Sequence, residues 1–246
     1  MFKDRNDAGR QLAERLEDLR SVKPIVLAIP RGGVEVGYQV AKHLKAPFSV
    51  LISRKLPYPM DPEAGFGAIA EDGSTFIAED ARRWVSDDEI EQIKDEQTEE
   101  IQRRLQVFRK GKPLPKISGR TVILVDDGLA MGSTMKAAIL LCRRRRAARI
   151  VAAVPVAGRG VAQEIREMAD EAVILEIPES FRAVAQVYVN WRDLTDEEVL
   201  AVLNRWRSQA RAGQKRTHPP DPAKKSQAAL KTLHNKTDSG PGASRA

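Results

Sequence analysis

The chain has 246 residues, of which 42% are hydrophobic and 30% charged, and its formal net charge is +7 at pH 7. This composition suffices for one large domain with a complete core, whereas no apolar run approaches the ~20 residues of a membrane-spanning helix. The single cysteine, Cys142, excludes an internal disulfide and a cysteine-cluster metal site. The polar N-terminus lacks the apolar core of a secretion signal, so we expect a cytoplasmic protein.

The first predicted elements are a helix, a strand and a glycine-containing turn. An N-terminal amphipathic helix is predicted by apolar residues at helical spacing, Ala8, Leu12, Leu16 and Leu19. Residues 25–29 form an apolar run of strand length, and the turn after it reads Pro-Arg-Gly-Gly. Gly32 and Gly33 can adopt positive φ and let a ligand approach the backbone. A plain turn between a strand and a helix is the alternative.

A basic pair and a long helix come next. The apolar run 48–52 predicts a second strand, and Arg54 and Lys55 follow at its expected carboxyl end. Ser86 and Glu89 form a capping-box signature, which predicts a charged helix from about 87 to 109.

The most informative motif is VILVDDGLAMGST at residues 122–134. Its apolar start predicts a buried parallel strand, with Asp126 and Asp127 at the carboxyl end. Small residues then lead into a helix that begins near Met135. Such a loop and helix N-terminus bind anions through backbone N–H groups, and adjacent carboxylates suit the hydroxyls of a sugar. The motif predicts a pocket for a phosphorylated sugar; solvated or helix-capping acids are the alternative.

Alternating strands and helices complete the predicted domain. Further elements are expected as a helix over 135–146, a strand over 150–156, a helix over 160–168, a strand over 172–177 and a capped helix from Thr195 to about Arg207. This order predicts an α/β fold, a Rossmann-like parallel sheet with helices on both faces. The four arginines 143–146 are expected to form a solvated helix end, with phosphate binding as the alternative.

Together these segments resemble the type I phosphoribosyltransferases. Residues 122–134 are similar to the family motif for phosphoribosyl pyrophosphate (PRPP), and the Pro-Arg-Gly-Gly turn is similar to its pyrophosphate loop. Arg54 and Lys55 resemble a cation cluster of adenine-type members. The resemblance covers about residues 2–207 and is closest to bacterial phosphoribosyltransferase-domain proteins of undefined acceptor. It implies a small hood around residues 177–194.

The resemblance also implies the site residues. Those implied to bind PRPP are Arg31, Gly32, Gly33, Arg54, Lys55, Asp126, Asp127, Gly128, Ala130, Met131, Gly132, Ser133 and Thr134, and those implied in catalysis are Arg31, Lys55, Asp126 and Asp127. The 5′-phosphate would meet the loop amides, the ribose hydroxyls the acids, and the pyrophosphate the cations. Mg²⁺ would be bound through PRPP, with no metal site of the protein's own.

Several positions leave alternatives open. Ala130 stands where 6-oxopurine enzymes have an aspartate, and Met131 stands where threonine is usual. Phe181 would stack on an acceptor base, or Phe181, Tyr188 and Trp191 pack the last strand and helix. The turn-rich segment 57–72 is either a mobile loop closing over the reacting centre or a β-hairpin arm for dimer packing.

The activity implied is transfer of the 5-phosphoribosyl group of PRPP to a nitrogenous acceptor with release of pyrophosphate, by a homodimer without membrane attachment. A noncatalytic PRPP or nucleotide sensor on the same fold is the alternative. A dinucleotide-dependent oxidoreductase is disfavoured, because no GxGxxG follows the first strand.

The C-terminal residues 208–246 differ in composition from the rest. They carry a net charge of +6, which leaves +1 for residues 1–207. Because they contain few apolar residues, we expect a folded domain over 1–207 and a disordered tail over 208–246. An inert solubilising tail is the favoured interpretation, and weak attraction to RNA or anionic surfaces is the alternative.

Overall fold

A computed structural model describes the backbone of residues 1–217 and the side chains of residues 1–209. Residues 1–206 form one compact unit. The strands of this part are β1 (Ile25–Ala28), β2 (Phe48–Val50), β3 (Ser53–Tyr58), β4 (Asp61–Ala70), β5 (Thr75–Ile77), β6 (Thr121–Val125), β7 (Arg149–Val156) and β8 (Glu171–Glu176). The α-helices are α1 (Arg5–Arg15), α2 (Gly33–Leu44), α3 (Asp87–Arg109), α4 (Ser133–Arg144), α5 (Arg159–Met168) and α6 (Asp196–Thr217).

The central sheet is parallel and has the strand order β2-β1-β6-β7-β8. Successive strand residues point to opposite faces, and both faces are covered. Val26 and Ile123 pack with α1 and α2 on one face, whereas Leu27 and Leu124 pack with α4 and α5 on the other. This two-sided burial explains the unbroken apolar runs in the sequence and confirms the predicted fold class.

A second, antiparallel sheet has the order β3-β4-β5. Of the two alternatives for residues 57–72, the structure therefore has a hairpin, because β3 and β4 pair along this segment. Arg54 and Lys55 follow β2 as predicted, but they do not lie at its carboxyl end, because both lie inside β3. β2 ends at Val50, and the chain enters the second sheet only two residues later.

The helix ends test the capping predictions. α3 begins at Asp87 after Ser86, and the capping box of Ser86 and Glu89 is formed. α6 begins after Thr195 as expected, but it continues to Thr217 rather than ending near Arg207. The predicted tail from residue 208 therefore starts inside a helix, and residues 218–246 lie outside the described part.

The remaining features follow from burial. Cys142 is buried among apolar residues, as expected. Arg143 pairs with Asp170 at the exposed end of α4, which favours the solvated interpretation of the arginine run. Over the described residues, every helix is too short or too polar to cross a bilayer.

Candidate functional site

The candidate site lies where β1 and β6 end side by side. The two strands pair in parallel register, with Ala28 opposite Val125. The pairing extends one residue further, since the backbone N–H of Ile29 donates to the carbonyl of Val125 at 2.8 Å. This register places the Pro-Arg-Gly-Gly turn directly beside Asp126 and Asp127.

The two glycines of this turn are required by close packing. A Cβ added to Gly32 would lie 1.7 Å from Oδ2 of Asp127, and a Cβ on Gly33 would lie 2.7 Å from the carbonyl oxygen of Val125. The prediction of positive φ is wrong, because Gly32 has φ −58° and neither glycine is among the positive-φ residues. Arg31 is exposed at the tip of the turn.

Asp127 is held by side chains from distant parts of the chain. Arg5, the first residue of α1, donates from Nε to Oδ2 of Asp127 at 2.7 Å. The exposed fractions of the two side chains are 6% and 14%. The hydroxyl of Tyr188 donates to the backbone carbonyl of Asp127 at 2.7 Å. Oδ2 of Asp127 is thus already paired with a cation.

The neighbouring acid has a different environment. Oδ1 of Asp126 accepts from the backbone N–H of Asp127 at 2.9 Å. Asp126 keeps part of its surface exposed, yet desolvation of the carboxyl, and then the charge of Asp127, raise its pKa well above the ordinary value. The two adjacent acids are therefore chemically distinct.

The loop after the acids forms one wall of a cleft of about 280 Å³. Gly132 has φ +70° and precedes α4, whose N-terminus has no side-chain cap. The first-turn amides of a helix lack intrahelical acceptors, so they can bind an anion. The residues lining the cleft are Lys55, Glu63, Gly65, Gly128, Leu129, Ala130, Met131, Gly132, Ser133, Thr134 and Val184.

The basic pair is divided by the alternation of β3. Lys55 lines the cleft, where its Nζ donates to the carbonyl of Pro62 at 2.8 Å and also to that of Glu63. Arg54 points the other way, and its Nε donates to Gln97 of α3 at 3.1 Å. Desolvation is the main cause of the lowered pKa of Arg54. Of the two predicted cations, only Lys55 faces the anion-binding loop.

A sequence profile described as "Phosphoribosyl transferase domain" matches residues 4–191, which include every element of this cleft. The chain belongs to this family.

Two curated sequences of Mycobacterium tuberculosis, from strains CDC 1551 and H37Rv, are provisionally named as phosphoribosyl transferases. Each is 43% identical over 207 residues, which cover 83% of this chain and 47% of the relative. The chain therefore spans about half the length of these relatives. A crystal structure of a protein from Thermus thermophilus is 36% identical, has a TM-score of 0.71 and covers 83% of this chain and 98% of that one.

The predicted hood of this phosphoribosyl transferase domain, residues 177–194, contains three aromatic residues whose packing can be described. Tyr188 is buried against Phe2, with ring centroids 5.6 Å apart, and against Trp191 at 5.0 Å. Phe181 packs close to Gly158 and is not among the residues that line the cleft. Val184 lines the cleft instead, and its side chain would lie 2.5 Å from a Cβ added to Gly128.

Sequence reasoning missed Arg5, which belongs to the site. The signal was present, because Arg5, Ala8 and Leu12 recur at the spacing of one helix face. A charged residue on an otherwise apolar face indicates a buried partner. Its identity was out of reach, since Asp127 is 122 positions away along the chain.

No group of three or more His, Cys, Asp or Glu that could hold a metal ion occurs within the described part of the chain. Glu63 lines the cleft, whereas Asp126 and Asp127 lie beside it at the end of β6, and Asp127 is paired with Arg5. These residues fit a Mg²⁺ ion whose ligands come largely from a bound pyrophosphate and water; they do not form a protein cage.

Proposed function

We propose that this domain transfers the 5-phosphoribosyl group of PRPP to a nitrogenous, base-like acceptor and releases pyrophosphate. The observation that carries the proposal is the convergence of three features at one sheet edge. These are the uncapped amide loop before α4, the acids that stand between β6 and this loop, and Lys55, which lines the same cleft as the loop. The matching family profile supports the same activity.

The loop would bind the 5′-phosphate. Residues 130–134 line the cleft, and their backbone N–H groups, with the hydroxyls of Ser133 and Thr134, would donate to the phosphate. The helix dipole of α4 adds partial positive charge at this point. Met131 lacks the hydroxyl of threonine, whose loss costs ~0.5–1.5 kcal/mol, so the backbone donors would carry most of the binding.

The acids and the cations would divide the rest of PRPP between them. Asp126 and Asp127 would accept hydrogen bonds from the ribose 2′- and 3′-hydroxyls. Lys55, Arg31 and the amides of the glycine turn would hold the pyrophosphate. Mg²⁺, when bound through the pyrophosphate, supplies further neutralisation of its negative charge.

The reaction would depend on charge separation. As the bond from C1 to the pyrophosphate oxygen lengthens, the ribose gains cationic character and the leaving group gains negative charge. Fixed cations at the leaving group stabilise this late state electrostatically. The acceptor nitrogen then forms its bond to C1. Ala130 offers no base, so the acceptor's proton would leave to water or to the departing pyrophosphate.

The experiment is titration of the full chain with PRPP and Mg²⁺ while pyrophosphate release is followed over a panel of nitrogenous bases and amines. We expect Lys55→Ala to lower kcat on the order of 10²-fold and Asp127→Asn to raise KM for PRPP roughly tenfold. Lys112→Ala, at an exposed lysine outside the cleft, is the matched control. PRPP binding without turnover on any acceptor would support the sensor alternative.

A further inference from the structure

The guanidinium of Arg5 contacts three other residues. Its Nε donates to Asp127, its Nη1 donates to the backbone carbonyl of Arg192 at 2.8 Å, and its guanidinium carbon lies 3.9 Å from the ring centroid of Trp191. The residue is 5% exposed. A planar guanidinium fixed at three sides has essentially one orientation.

The partner of Arg5 is equally constrained. Oδ2 of Asp127 lies against Gly32, where even a methyl group would not fit. Tyr188 binds the backbone carbonyl of the same residue. Asp127 therefore has its side chain and its main chain held from α1, from the glycine turn and from the hood.

Stability alone does not account for this arrangement. Desolvating two charges offsets much of their attraction, and apolar replacements for buried ion pairs are often as stable. The ion pair instead fixes the position of the Asp127 carboxylate, which in the proposed function accepts hydrogen bonds from the ribose hydroxyls.

We infer that Arg5 is a positioning residue of the sugar-binding site, which sets the orientation of Asp127 by occupying its Oδ2 and thereby makes α1 and the hood part of that site. This inference rests on the proposed binding of a phosphorylated ribose. It does not require that the protein be catalytic.

The test measures binding of two probes, ribose 5-phosphate and inorganic pyrophosphate, by calorimetry. The variants of the full chain are Arg5→Gln and Arg5→Lys, with Arg15→Gln as the control at an exposed arginine of the same helix. We expect Arg5→Gln to weaken ribose 5-phosphate binding by roughly tenfold to a hundredfold, as expected for a misplaced contact. Pyrophosphate affinity should stay within about twofold, and the ribose 5-phosphate affinity of Arg5→Lys should lie between those of Arg5→Gln and the unmodified protein.

A double-mutant cycle separates positioning from general destabilisation. In the Asp127→Asn background, we expect Arg5→Gln to cause no further loss of ribose 5-phosphate affinity, because its effect acts through that carboxylate. Thermal unfolding of each variant reports whether it is folded, and Arg5→Lys, which keeps the charge, provides the comparison if Arg5→Gln does not fold.

Three results would overturn the inference. The first is that Arg5→Gln binds ribose 5-phosphate as tightly as Arg15→Gln does. The second is that Arg5→Gln loses equal affinity for ribose 5-phosphate and for pyrophosphate. The third is that Arg5→Gln lowers the ribose 5-phosphate affinity of Asp127→Asn as much as it lowers that of the unmodified protein. Failure of the unmodified protein to bind ribose 5-phosphate would also overturn it. Tight binding with no pyrophosphate release would instead remove the catalytic proposal and leave the role of Arg5 intact.

Discussion

Two adjacent aspartates have different properties because their surroundings differ. Asp127 faces a guanidinium, whereas Asp126 accepts one backbone hydrogen bond and lies next to a like charge. Removing water from the carboxylate of Asp126 costs the free protein stability. Bound sugar hydroxyls would replace that water, so the cost is consistent with a binding role.

Replacement of Asp126 by asparagine should therefore stabilise the fold while weakening sugar binding. The pKa of Asp126 is raised in the folded state. Below the ordinary pKa, both folded and unfolded states are protonated; as pH rises above it, the unfolded state ionises first and the folded state loses stability. We expect the melting temperature of Asp126→Asn to match the unmodified protein near pH 4 and to exceed it increasingly as the pH rises, until the pKa of the Asp126 carboxyl in the folded state is passed.

Melting curves at intervals from pH 4 to pH 8 measure this difference, with ~2–4 °C corresponding to 1 kcal/mol at this size. Asp95→Asn, at an exposed position of α3, is the control and should change stability by less than ~0.5 kcal/mol. A gain for Asp126→Asn that is the same at every pH would contradict the assignment to its ionisation.

For individual residues, the sequence predicted which residue types matter better than it predicted the structural reason for each. The position of the two acids directly after β6, and of the small residues between them and α4, was predicted correctly, because a strand end followed by small residues has few alternatives. Gly32 was chosen correctly but for positive φ, whereas its neighbour Asp127 excludes a side chain. The periodicity of α1 marks Arg5 as a residue of the buried face, but it carries no signal for a partner as distant as Asp127.

Among the elements, the turn between β1 and α2 matters most for the site. It carries Arg31, and its two glycines pack directly against the acids that follow β6. A single added carbon in this turn would push the carboxylate of Asp127 away from Arg5.

Gly32→Ala tests this close fit. The new Cβ would lie 1.7 Å from Oδ2 of Asp127 and 3.0 Å from Nε of Arg5, so the ion pair must separate. We expect ribose 5-phosphate affinity to fall at least tenfold in a protein that remains folded, measured by calorimetry and circular dichroism. Gly160→Ala is the matched control, because a Cβ there meets nothing within 4 Å. Equal affinities for the two variants would refute the packing argument.

Long, strongly patterned elements were predicted well and the short ones less so. The limits of α3 follow from its capping box, and the parallel sheet follows from apolar runs separated by helices. The hairpin of β3 and β4 was only one of two alternatives, because Pro57, Pro59 and Pro62 give this segment the composition of a loop, and β5 was not predicted. Pro57 is tolerated where the ladder is irregular, with register shifts on both sides of it.

Across the whole unit, one buried ion pair connects the two sheets. Nη1 of Arg109, at the end of α3, donates to Glu71 at 2.9 Å, with exposed side-chain fractions of 7% and 6%. Glu71 also accepts from the backbone N–H of Ile52 at 3.1 Å. The connection between β2 and β3 is thereby fixed to the end of β4 and to α3.

Glu71→Ala should therefore destabilise the entire unit. Removing one partner leaves a buried guanidinium uncompensated, which costs about 3–5 kcal/mol, measured by urea unfolding. Glu91→Ala, which removes the exposed pair with Lys94, should cost less than ~1 kcal/mol. Similar unfolding midpoints for the two variants would show that the pair does not hold the sheets together.

The pairing of Arg5 with both Asp127 and Arg192 has a consequence for biosynthesis. The partners of this one side chain are separated from it by 122 and 187 positions along the polypeptide. A ribosome extends the chain at ~5–20 residues per second, so the N-terminal helix waits on the order of ten seconds or more for its last partner to be made. A nascent chain that has reached α4 would contain the proposed phosphate loop without the finished sugar pocket, so ligand would stabilise only chains extended past Arg192.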